Sequence, residues 1–169
     1  MLVKMRRQVF DSLEDTALGG ACFEPFIPKI RGKNDTVKLQ VYKQLTTGQK
    51  ALFMFNAYYN HASQSLAEFY WWSAHFLAQP KAWAEIKAGL RYFKADAMLE
   101  VLEEMEGILQ ARLNPNGFDV SYKDLDQDSK LHSSVSSLNT IFHEISPATL
   151  KRIGACIRNS PSEFLQLEN

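Results

Sequence analysis

Cysteine is scarce in this chain of 169 residues. It occurs only as Cys22 and Cys156, which lie far apart and form no CxxC pair. Two separated thiols argue against a disulfide framework and against a zinc site built on paired cysteines. Such usage is typical of a reducing compartment, so we expect a cytoplasmic protein in which both thiols behave as small apolar side chains.

Long apolar runs are also missing. The richest apolar segment, 51–78, is interrupted by Asn, His, Gln and Glu side chains. No stretch reaches the roughly 18 apolar residues that a transmembrane helix needs. The N-terminal sequence MLVKMRRQVF lacks the apolar core of a signal peptide. We therefore expect a soluble protein with no membrane partner.

Several catalytic and nucleotide-binding motifs are absent. The chain contains no GxSxG, no GxGxxG and no GxxxxGK followed by Ser or Thr, and neither cysteine has a histidine nearby in sequence. Carboxylate pairs such as Glu103 and Glu104 are predicted on an exposed helix face, where nothing would raise a pKa. Basic residues do not cluster with interleaved aromatic side chains, which argues against direct nucleic-acid binding. We predict no catalytic residue, no cofactor and no nucleic-acid ligand.

The residues that are present form a globular helical pattern. The length is that of one domain, 46% of the residues are hydrophobic, and there is no internal repeat. Apolar residues recur mostly three and four positions apart, and no convincing pair of strands is visible. The pattern predicts a single all-α domain over residues 1–169, an irregular bundle of seven to eight mostly antiparallel helices.

The N-terminal part is predicted to contain two helices with an extended segment between them. The first helix covers residues 2–18 and ends at a Gly-Gly pair. Pro25 and Pro28 argue against a helix. Residues 19–35 are therefore predicted to lie extended across the core, anchored by their Phe and Ile side chains. A short helix follows over 36–45.

Capping motifs predict the starts of the central helices. A Thr-x-x-Gln sequence at 46–49 and a Ser-x-x-Glu sequence at 65–68 each have the pattern of a capping box. Pro80 suits the first position of a further helix. The sequence leaves open whether the chain between the two boxes breaks near residues 60–63 or continues as one bent helix.

The C-terminal half is predicted to be helical as well. A strongly amphipathic helix covers 96–113, followed by a turn at 114–117 and an acidic loop over 118–128. A further patterned helix begins after this loop. Ser146 and Ser160, each followed by proline, are predicted to cap the last two helices.

Charge is unevenly distributed although the net charge is zero. Residues 1–50 carry nine Lys and Arg against five Asp and Glu, residues 95–128 carry two against nine, and the remainder restores neutrality. Four glutamates of the acidic segment are predicted to lie largely outside its apolar stripe: Glu100, Glu103, Glu104 and Glu106. This distribution indicates either a solvated acidic face or a surface that binds a basic partner.

Five side chains would share one face if the segment 58–76 formed a continuous helix: His61, Ser65, Glu68, Trp72 and His75. Two histidines and a carboxylate suggest a metal site. However, seven residues separate each histidine from Glu68, which corresponds to about 10.5 Å of helix rise. Zinc ligands lie about 2 Å from one ion. We therefore predict no metal and keep two alternatives, histidines at an ordinary polar interface or a ligand-binding pocket.

The same segment is rich in aromatic side chains and includes the adjacent pair Trp71 and Trp72. Neighbouring residues of a helix point about 100° apart, so the two indoles need separate cover. Burial in the bundle is predicted to account for most of these rings. The alternatives are a ligand pocket or a homodimer surface, where Trp and Tyr are favoured.

A calcium loop is suggested by Asp124, Asp126 and Asp128, which alternate as in the opening of an EF-hand. Ser129 stands where the turn glycine is required, and Val135 stands where the bidentate glutamate is required. Because two of the defining positions are lost, we reject a calcium loop.

Three stretches resemble one family of small helical proteins. They are LTTGQKALF at 45–53, KADAML at 94–99 and LKRIGACIRNSPSEF at 150–164, and they resemble the DNA-mimic-protein-type helical domain of unknown function. The similarity covers about residues 45–165 discontinuously, and the family's Asn-Gly-Gly is replaced by Asn-His-Ala at 60–62. The resemblance implies an all-α fold and, for at least one branch, an acidic surface that imitates DNA and binds a DNA-binding protein.

The leading hypothesis is a non-enzymatic protein-interaction or regulatory module that uses its acidic surface. Its partner would be a protein. The resemblance implies that this partner is a basic DNA-binding protein. The alternative is a small-molecule-binding or metal-dependent hydrolytic helical enzyme with a pocket near His61 to His75. A third hypothesis is a homodimer built on the aromatic helix.

Overall fold

The computed structural model describes residues 2–112 and 120–168 of the chain. It confirms the predicted all-α irregular bundle and adds one small parallel sheet. Within these residues the helices outnumber the predicted seven to eight, partly because α3 and α9 are single turns that periodicity does not register. In chain order the elements are β1 (Val3–Arg6), α1 (Arg7–Ser12), α2 (Asp15–Phe23), a 3-10 turn (Glu24–Phe26), α3 (Ile27–Ile30), α4 (Asp35–Lys43), α5 (Thr47–Ala62), α6 (Leu66–Leu77), α7 (Pro80–Tyr92), α8 (Asp96–Gln110), α9 (Asp124–Gln127), α10 (Ser129–Asn159), a second 3-10 turn (Pro161–Glu163) and β2 (Leu165–Glu168).

Local sequence signals place the two central helices. The Thr46 hydroxyl accepts a hydrogen bond from the backbone N–H of Gln49 (3.1 Å), and the Gln49 side chain accepts one from the N–H of Thr46 (3.1 Å). The Ser65 hydroxyl accepts from the N–H of Glu68 (3.1 Å) at the start of α6. The chain therefore breaks between α5 and α6, and the continuous-helix alternative is wrong.

The core lies mainly between α2, α5, α6, α7, α8 and α10. Tyr58, Phe69, Tyr70 and Phe142 are among its largest fully buried side chains. The Phe142 ring lies 4.9 Å from the Phe69 ring and 6.3 Å from the Tyr58 ring, measured between centroids. Burial of rings of this size removes much apolar area from water and dominates the stability of such a bundle.

The helix predicted over 2–18 is only partly correct, because the range contains β1, α1 and the start of α2 in place of one continuous helix. Its first residues form β1, which pairs with β2 in parallel, in a register that begins with Val3 opposite Leu165. The partner strand comes from the far end of the chain, so local periodicity could not reveal it. The Gly-Gly pair lies inside α2, where a Cβ on Gly19 would come within 3.1 Å of the Ile153 side chain. This glycine therefore serves close packing of α2 on α10, not helix termination.

The predicted extended segment over 19–35 is wrong. The chain continues from α2 through the first 3-10 turn into α3, with Pro25 and Pro28 in the first or second position of these two elements. A proline there loses no helical hydrogen bond, because the first N–H groups of a helix have no acceptor within it. Its aromatic side chains do pack into the core, where Phe23 and Phe26 are buried.

One helix spans the region where two were predicted. α10 continues through Ser146 and Pro147, so neither residue starts a new helix. The Ser146 hydroxyl donates to the Phe142 carbonyl (2.7 Å) instead. Extensive packing of α10 against α2 compensates for the hydrogen bond that Pro147 cannot donate. Ser160 precedes a 3-10 turn and not the predicted short α-helix.

Within the described residues, every helix is too short or too polar to cross a membrane. The predicted turn at 114–117 lies outside the described residues, as do the end of the helix predicted over 96–113 and the start of the loop predicted over 118–128. The later part of that loop contains α9, which leads directly into α10.

Candidate functional site

The four glutamates predicted as an acidic surface lie on α8 but do not form one set. Glu100 and Glu104 are exposed and have no ion pair or hydrogen bond with another side chain in the described part of the chain. Glu103 is exposed, and its Oε1 lies 3.1 Å from Arg91 Nη2. Glu106 is turned toward α7, with only 21% of its side chain exposed.

Glu106 forms a structural contact between α7 and α8. Its Oε2 accepts hydrogen bonds from Lys87 Nζ (2.6 Å) and Trp83 Nε1 (2.8 Å), and its Oε1 accepts one from Gln110 Nε2 (3.1 Å). Burial alone would raise the pKa of this carboxyl, but the hydrogen bonds from Lys87 and Trp83 and the charge of Lys87 outweigh burial and lower the pKa. Of the four predicted residues, three therefore remain to face a partner: Glu100, Glu103 and Glu104.

The other predicted residues come together on the outward face of α6. The inward face of this helix consists of Phe69, Tyr70, Ser73, Ala74 and Leu77, all buried. Since successive helical residues are 100° apart, the opposite face carries Glu68, Trp71, Trp72 and His75. His61, near the end of α5, is stacked on Trp72 with 3.9 Å between ring centroids. The turn between α5 and α6 thus brings His61 beside α6 although the two helices are separate.

The rings on this face form two stacks. Trp71 is stacked with His75 (5.0 Å, 12° between planes) and with Tyr122 (5.9 Å, 18°). Trp72 is stacked with His61 at an angle of 19°. The two indoles meet edge to face, at 85° and 5.0 Å. We refer to His61, Trp71, Trp72, His75 and Tyr122 as the aromatic–histidine patch.

Glu68 connects the two stacks. Its Oε2 accepts a hydrogen bond from Trp72 Nε1 (2.7 Å), and its Oε1 accepts one from the Tyr122 hydroxyl (3.3 Å). The indoles are half-buried, and Tyr122 is 44% exposed. The patch is therefore a preformed, partly apolar surface. Of the aromatic rings in this segment, Tyr58, Phe69 and Tyr70 are buried in the bundle, whereas Trp71 and Trp72 are only half-buried.

His75 is held in its neutral form. Partial burial, followed by the charge of His61, lowers the pKa of His75. The Nε2 atom of His75 lies 3.0 Å from Nε2 of Gln79. When the Gln79 amide donates this bond, the ring nitrogen must be unprotonated to accept it. At neutral pH this histidine therefore contributes a polar ring and no charge to the patch.

Metal ligation has little support in the part of the chain that the structure describes, which contains no group of three or more His, Cys, Asp or Glu that could hold an ion. In the Asp-x-Asp-x-Asp sequence, Asp124 accepts hydrogen bonds from the Tyr70 hydroxyl (2.9 Å) and from a backbone N–H. Asp128 caps α10 and lies 2.8 Å from Arg112. Protein donors thus occupy two of the three carboxylates.

The thiols are poor nucleophiles. Burial raises the pKa of Cys22 to about 12. Burial also raises the pKa of Cys156, although the charge of Lys94 opposes the shift. Because the thiolate is the reactive form of cysteine, the raised pKa values make both side chains less nucleophilic than an ordinary cysteine at neutral pH.

Sequence reasoning missed two members of the patch as site residues, Trp71 and Tyr122. Trp71 precedes His75 by four residues, and this spacing places the two rings side by side on a helix. It could have identified Trp71. Tyr122 comes from a distant segment just before α9, and nothing in its local sequence indicates contact with α6.

Comparisons with protein-family models, with curated proteins and with solved structures find no match for this chain. The resemblance to the DNA-mimic-protein-type domain therefore stays a prediction. Function has to be argued from the geometry of the patch and from the charges around it.

Proposed function

We propose that the protein is a non-enzymatic interaction module that binds a basic segment of a protein partner at the aromatic–histidine patch. The observation that carries this proposal is the presence of Trp71 and Trp72 on the outward face of α6. Partly apolar surface patches often mark contact sites, and Trp and Tyr supply much of the binding energy at protein interfaces.

The side chains of the patch are already fixed in position, which supports the same function. Stacking fixes the rings in pairs, and Glu68 holds Trp72 and Tyr122 through its two oxygens. Side chains that are already ordered lose little conformational entropy when a partner binds. The patch can therefore give more net affinity per contact than flexible side chains would.

Carboxylates at the patch and elsewhere on the surface favour a basic partner. Glu68 lies between the two stacks. Asp126 on α9 is exposed close to Tyr122 in sequence, although the exposed Lys123 lies between them, and α8 carries exposed Glu100 and Glu104. Carboxylates attract an approaching cation over about a Debye length. An Arg or Lys side chain would then contact the aromatic rings through cation–π interactions. The basic DNA-binding protein that the family resemblance implies would carry such Arg and Lys side chains and is one kind of partner that fits.

The enzymatic alternative near His61 and His75 has less support. The rings of His61 and Trp72 cover each other, and Glu68 already accepts two hydrogen bonds. The high pKa of both thiols also favours a non-enzymatic role.

Affinity capture with patch variants tests the proposal. Wild-type protein, Trp71→Ala, Tyr122→Ala and the control Leu39→Ala would be immobilised and exposed to the same cell extract. Leu39 is a matched control because it is an exposed apolar side chain on α4. Loss of a tryptophan anchor costs about 2 kcal/mol or more, which is about thirtyfold in affinity.

We expect a protein retained by the wild type and by Leu39→Ala to be lost from both patch variants, and we expect it to carry a basic segment. Equal retention by all four proteins would contradict the proposal. Sedimentation of the wild type, run in parallel, tests whether a second copy of the chain occupies the patch instead.

A further inference from the structure

A groove lies between α7 and α8, beside the contact that Glu106 makes. Its volume is about 370 Å³, within the range of roughly 300–1,000 Å³ that small-molecule sites have. Leu77, Pro80 and Ala84 provide apolar lining, and Trp83, Lys87 and Gln110 provide polar groups. The groove therefore combines an apolar wall with a small polar end, which is the usual composition of a ligand site.

The polar end has more hydrogen-bond donors than it uses. The Lys87 ammonium has three N–H groups, and Glu106 is its only acceptor among the residues that the structure describes. The Gln110 amide donates one of its two N–H groups to Glu106. The Glu106 oxygens already accept three hydrogen bonds, from Lys87, Trp83 and Gln110. A ligand at this end would meet unused donors and few unused acceptors.

We propose that this groove binds a small monocarboxylate with an apolar body. Its carboxylate would accept hydrogen bonds from Lys87 and Gln110, while its apolar body would lie along Leu77, Pro80 and Ala84. Glu106 acts here as a positioning residue, because it holds Lys87 and Gln110 at the polar end. This inference does not depend on the aromatic–histidine patch.

The head group of the ligand follows from the same contacts. Lys87 and Glu106 form a neutral pair, so the unused hydrogen-bond donors select the head group, and a cationic one would find the Glu106 oxygens largely occupied. A neutral hydroxyl could accept one hydrogen bond but would form no charge-assisted bond, which is about twice as strong as a neutral one. A carboxylate is the head group that can accept from the unused N–H groups of both Lys87 and Gln110.

Octanoate, octanol and octylammonium are suitable probes, because they share a chain and differ in the charge of the head group. The readout is the indole N–H resonance of Trp83 in ¹⁵N-labelled protein, assigned with a Trp83→Phe variant. The chain has three tryptophans, so the indoles of Trp71 and Trp72 report binding elsewhere. We expect saturable shifts of the Trp83 signal with octanoate, weaker ones with octanol and none with octylammonium.

Two variants separate the groove from the rest of the molecule. Lys87→Met keeps the length of the side chain and removes its charge, and it should weaken octanoate binding at least tenfold. Lys81→Met is the matched control, since Lys81 is exposed on the same helix and does not line the groove. Ala84→Phe leaves the ion pair between Lys87 and Glu106 intact and fills the groove, so it should also abolish binding, even if Lys87→Met fails to fold.

Equal octanoate affinity in the wild type and in Ala84→Phe would overturn the proposal. So would shifts confined to Trp71 and Trp72, or the same affinity for octanoate and octylammonium. Unchanged binding by Lys81→Met together with loss in Ala84→Phe and Lys87→Met supports it.

Discussion

Glu100 and Glu106 lie on the same helix and have different surroundings. Glu100 projects into solvent, whereas Glu106 binds Lys87, Trp83 and Gln110 at the contact with α7. Their side chains are chemically identical, so the sequence pattern assigned both to one acidic surface. Only the partner helix distinguishes a charge that is free to bind a ligand from one that stabilises the fold.

The difference between these two glutamates predicts a pH dependence of stability. At pH 7, Glu106→Gln should lower the free energy of unfolding by about 1–2 kcal/mol, because charge-assisted hydrogen bonds are lost. The folded-state pKa of Glu106 lies below its ordinary value of 4.5. Between the folded-state pKa and 4.5, Glu106 is more protonated in the unfolded chain than in the folded one. The extra stability of the wild type is therefore complete above pH 4.5 and disappears as pH falls through the folded-state pKa.

Urea unfolding at several pH values measures this dependence, with Glu100→Gln as the control. The exposed Glu100 has no described partner, so its variant should match the wild type throughout. A difference between wild type and Glu106→Gln that stays constant from pH 7 to pH 3 would contradict the assignment of Glu106 as an ionised structural contact.

At the scale of elements, Gly154 permits a close approach of α10 to α2. A Cβ built on Gly154 would lie 2.1 Å from the carbonyl oxygen of Asp15. The oxygen belongs to the backbone, and backbone geometry fixes the position of the Cβ, so neither atom can rotate away. The helices must therefore separate before any side chain fits at this position.

Gly154→Ala should lower the free energy of unfolding by about 3 kcal/mol or more. Gly107→Ala is the matched control, because Gly107 lies inside α8 and a Cβ there meets nothing within 4 Å. It should raise stability by about 0.5–1 kcal/mol, since alanine restricts the unfolded chain and favours the helix. Urea midpoints give both values, and a mild effect of Gly154→Ala would mean that α2 and α10 are less tightly packed than described.

The starts of helices could be predicted where the signal is a capping residue within the same few residues of sequence. The capping residues Thr46 and Ser65 marked the starts of α5 and α6 correctly, because each hydroxyl bonds an N–H only three residues away. Pro80 also begins α7 as predicted, whereas Pro25 and Pro147 misled, because their local sequence does not decide whether a helix stops. Pro25 lies in a 3-10 turn that begins a new helical segment, whereas Pro147 lies inside the continuous helix α10. Packing against other elements decides whether the chain stops or continues as a helix at a proline.

The molecule as a whole is closed by contacts that no local pattern contains. β1 pairs with β2, and the Arg158 guanidinium near the end of α10 binds Asp15 (Nε to Oδ1, 2.6 Å). The Gln49 side chain donates to the carbonyl of Phe164 (2.9 Å). These pairs are separated by most of the chain. They are therefore the features that periodicity and capping rules miss.

The candidate site shows the same limit. The grouping of His61, Glu68, Trp72 and His75 was predicted from a continuous helix that does not exist, and the turn between α5 and α6 brings them together all the same. Tyr122 could not be predicted, because its contact with Trp71 depends on how the segment before α9 crosses α6. Residue types with binding chemistry can be recognised in sequence, whereas their final neighbours depend on the tertiary fold.

The charge of the whole molecule gives the last prediction. Its net charge is zero, so a basic partner would be attracted by the arrangement of charges and not by their sum. Glu100→Lys with Glu104→Lys reverses two exposed carboxylates on α8. Asp11→Lys with Glu144→Lys changes the net charge equally at exposed positions on α1 and α10. The α8 pair should weaken binding of a captured basic partner about tenfold at low salt, and the second pair should have little effect.

Salt separates this long-range attraction from the contact at the patch. At about 0.5 M salt the Debye length is only a few ångströms, so the wild type and the α8 pair should then bind equally. Trp71→Ala should remain weaker at every salt concentration, because the contact it removes is mainly apolar. Equal weakening by both charge-reversed pairs would mean that net charge alone drives association. If Trp71→Ala also recovered wild-type affinity at high salt, the patch would not be the binding surface.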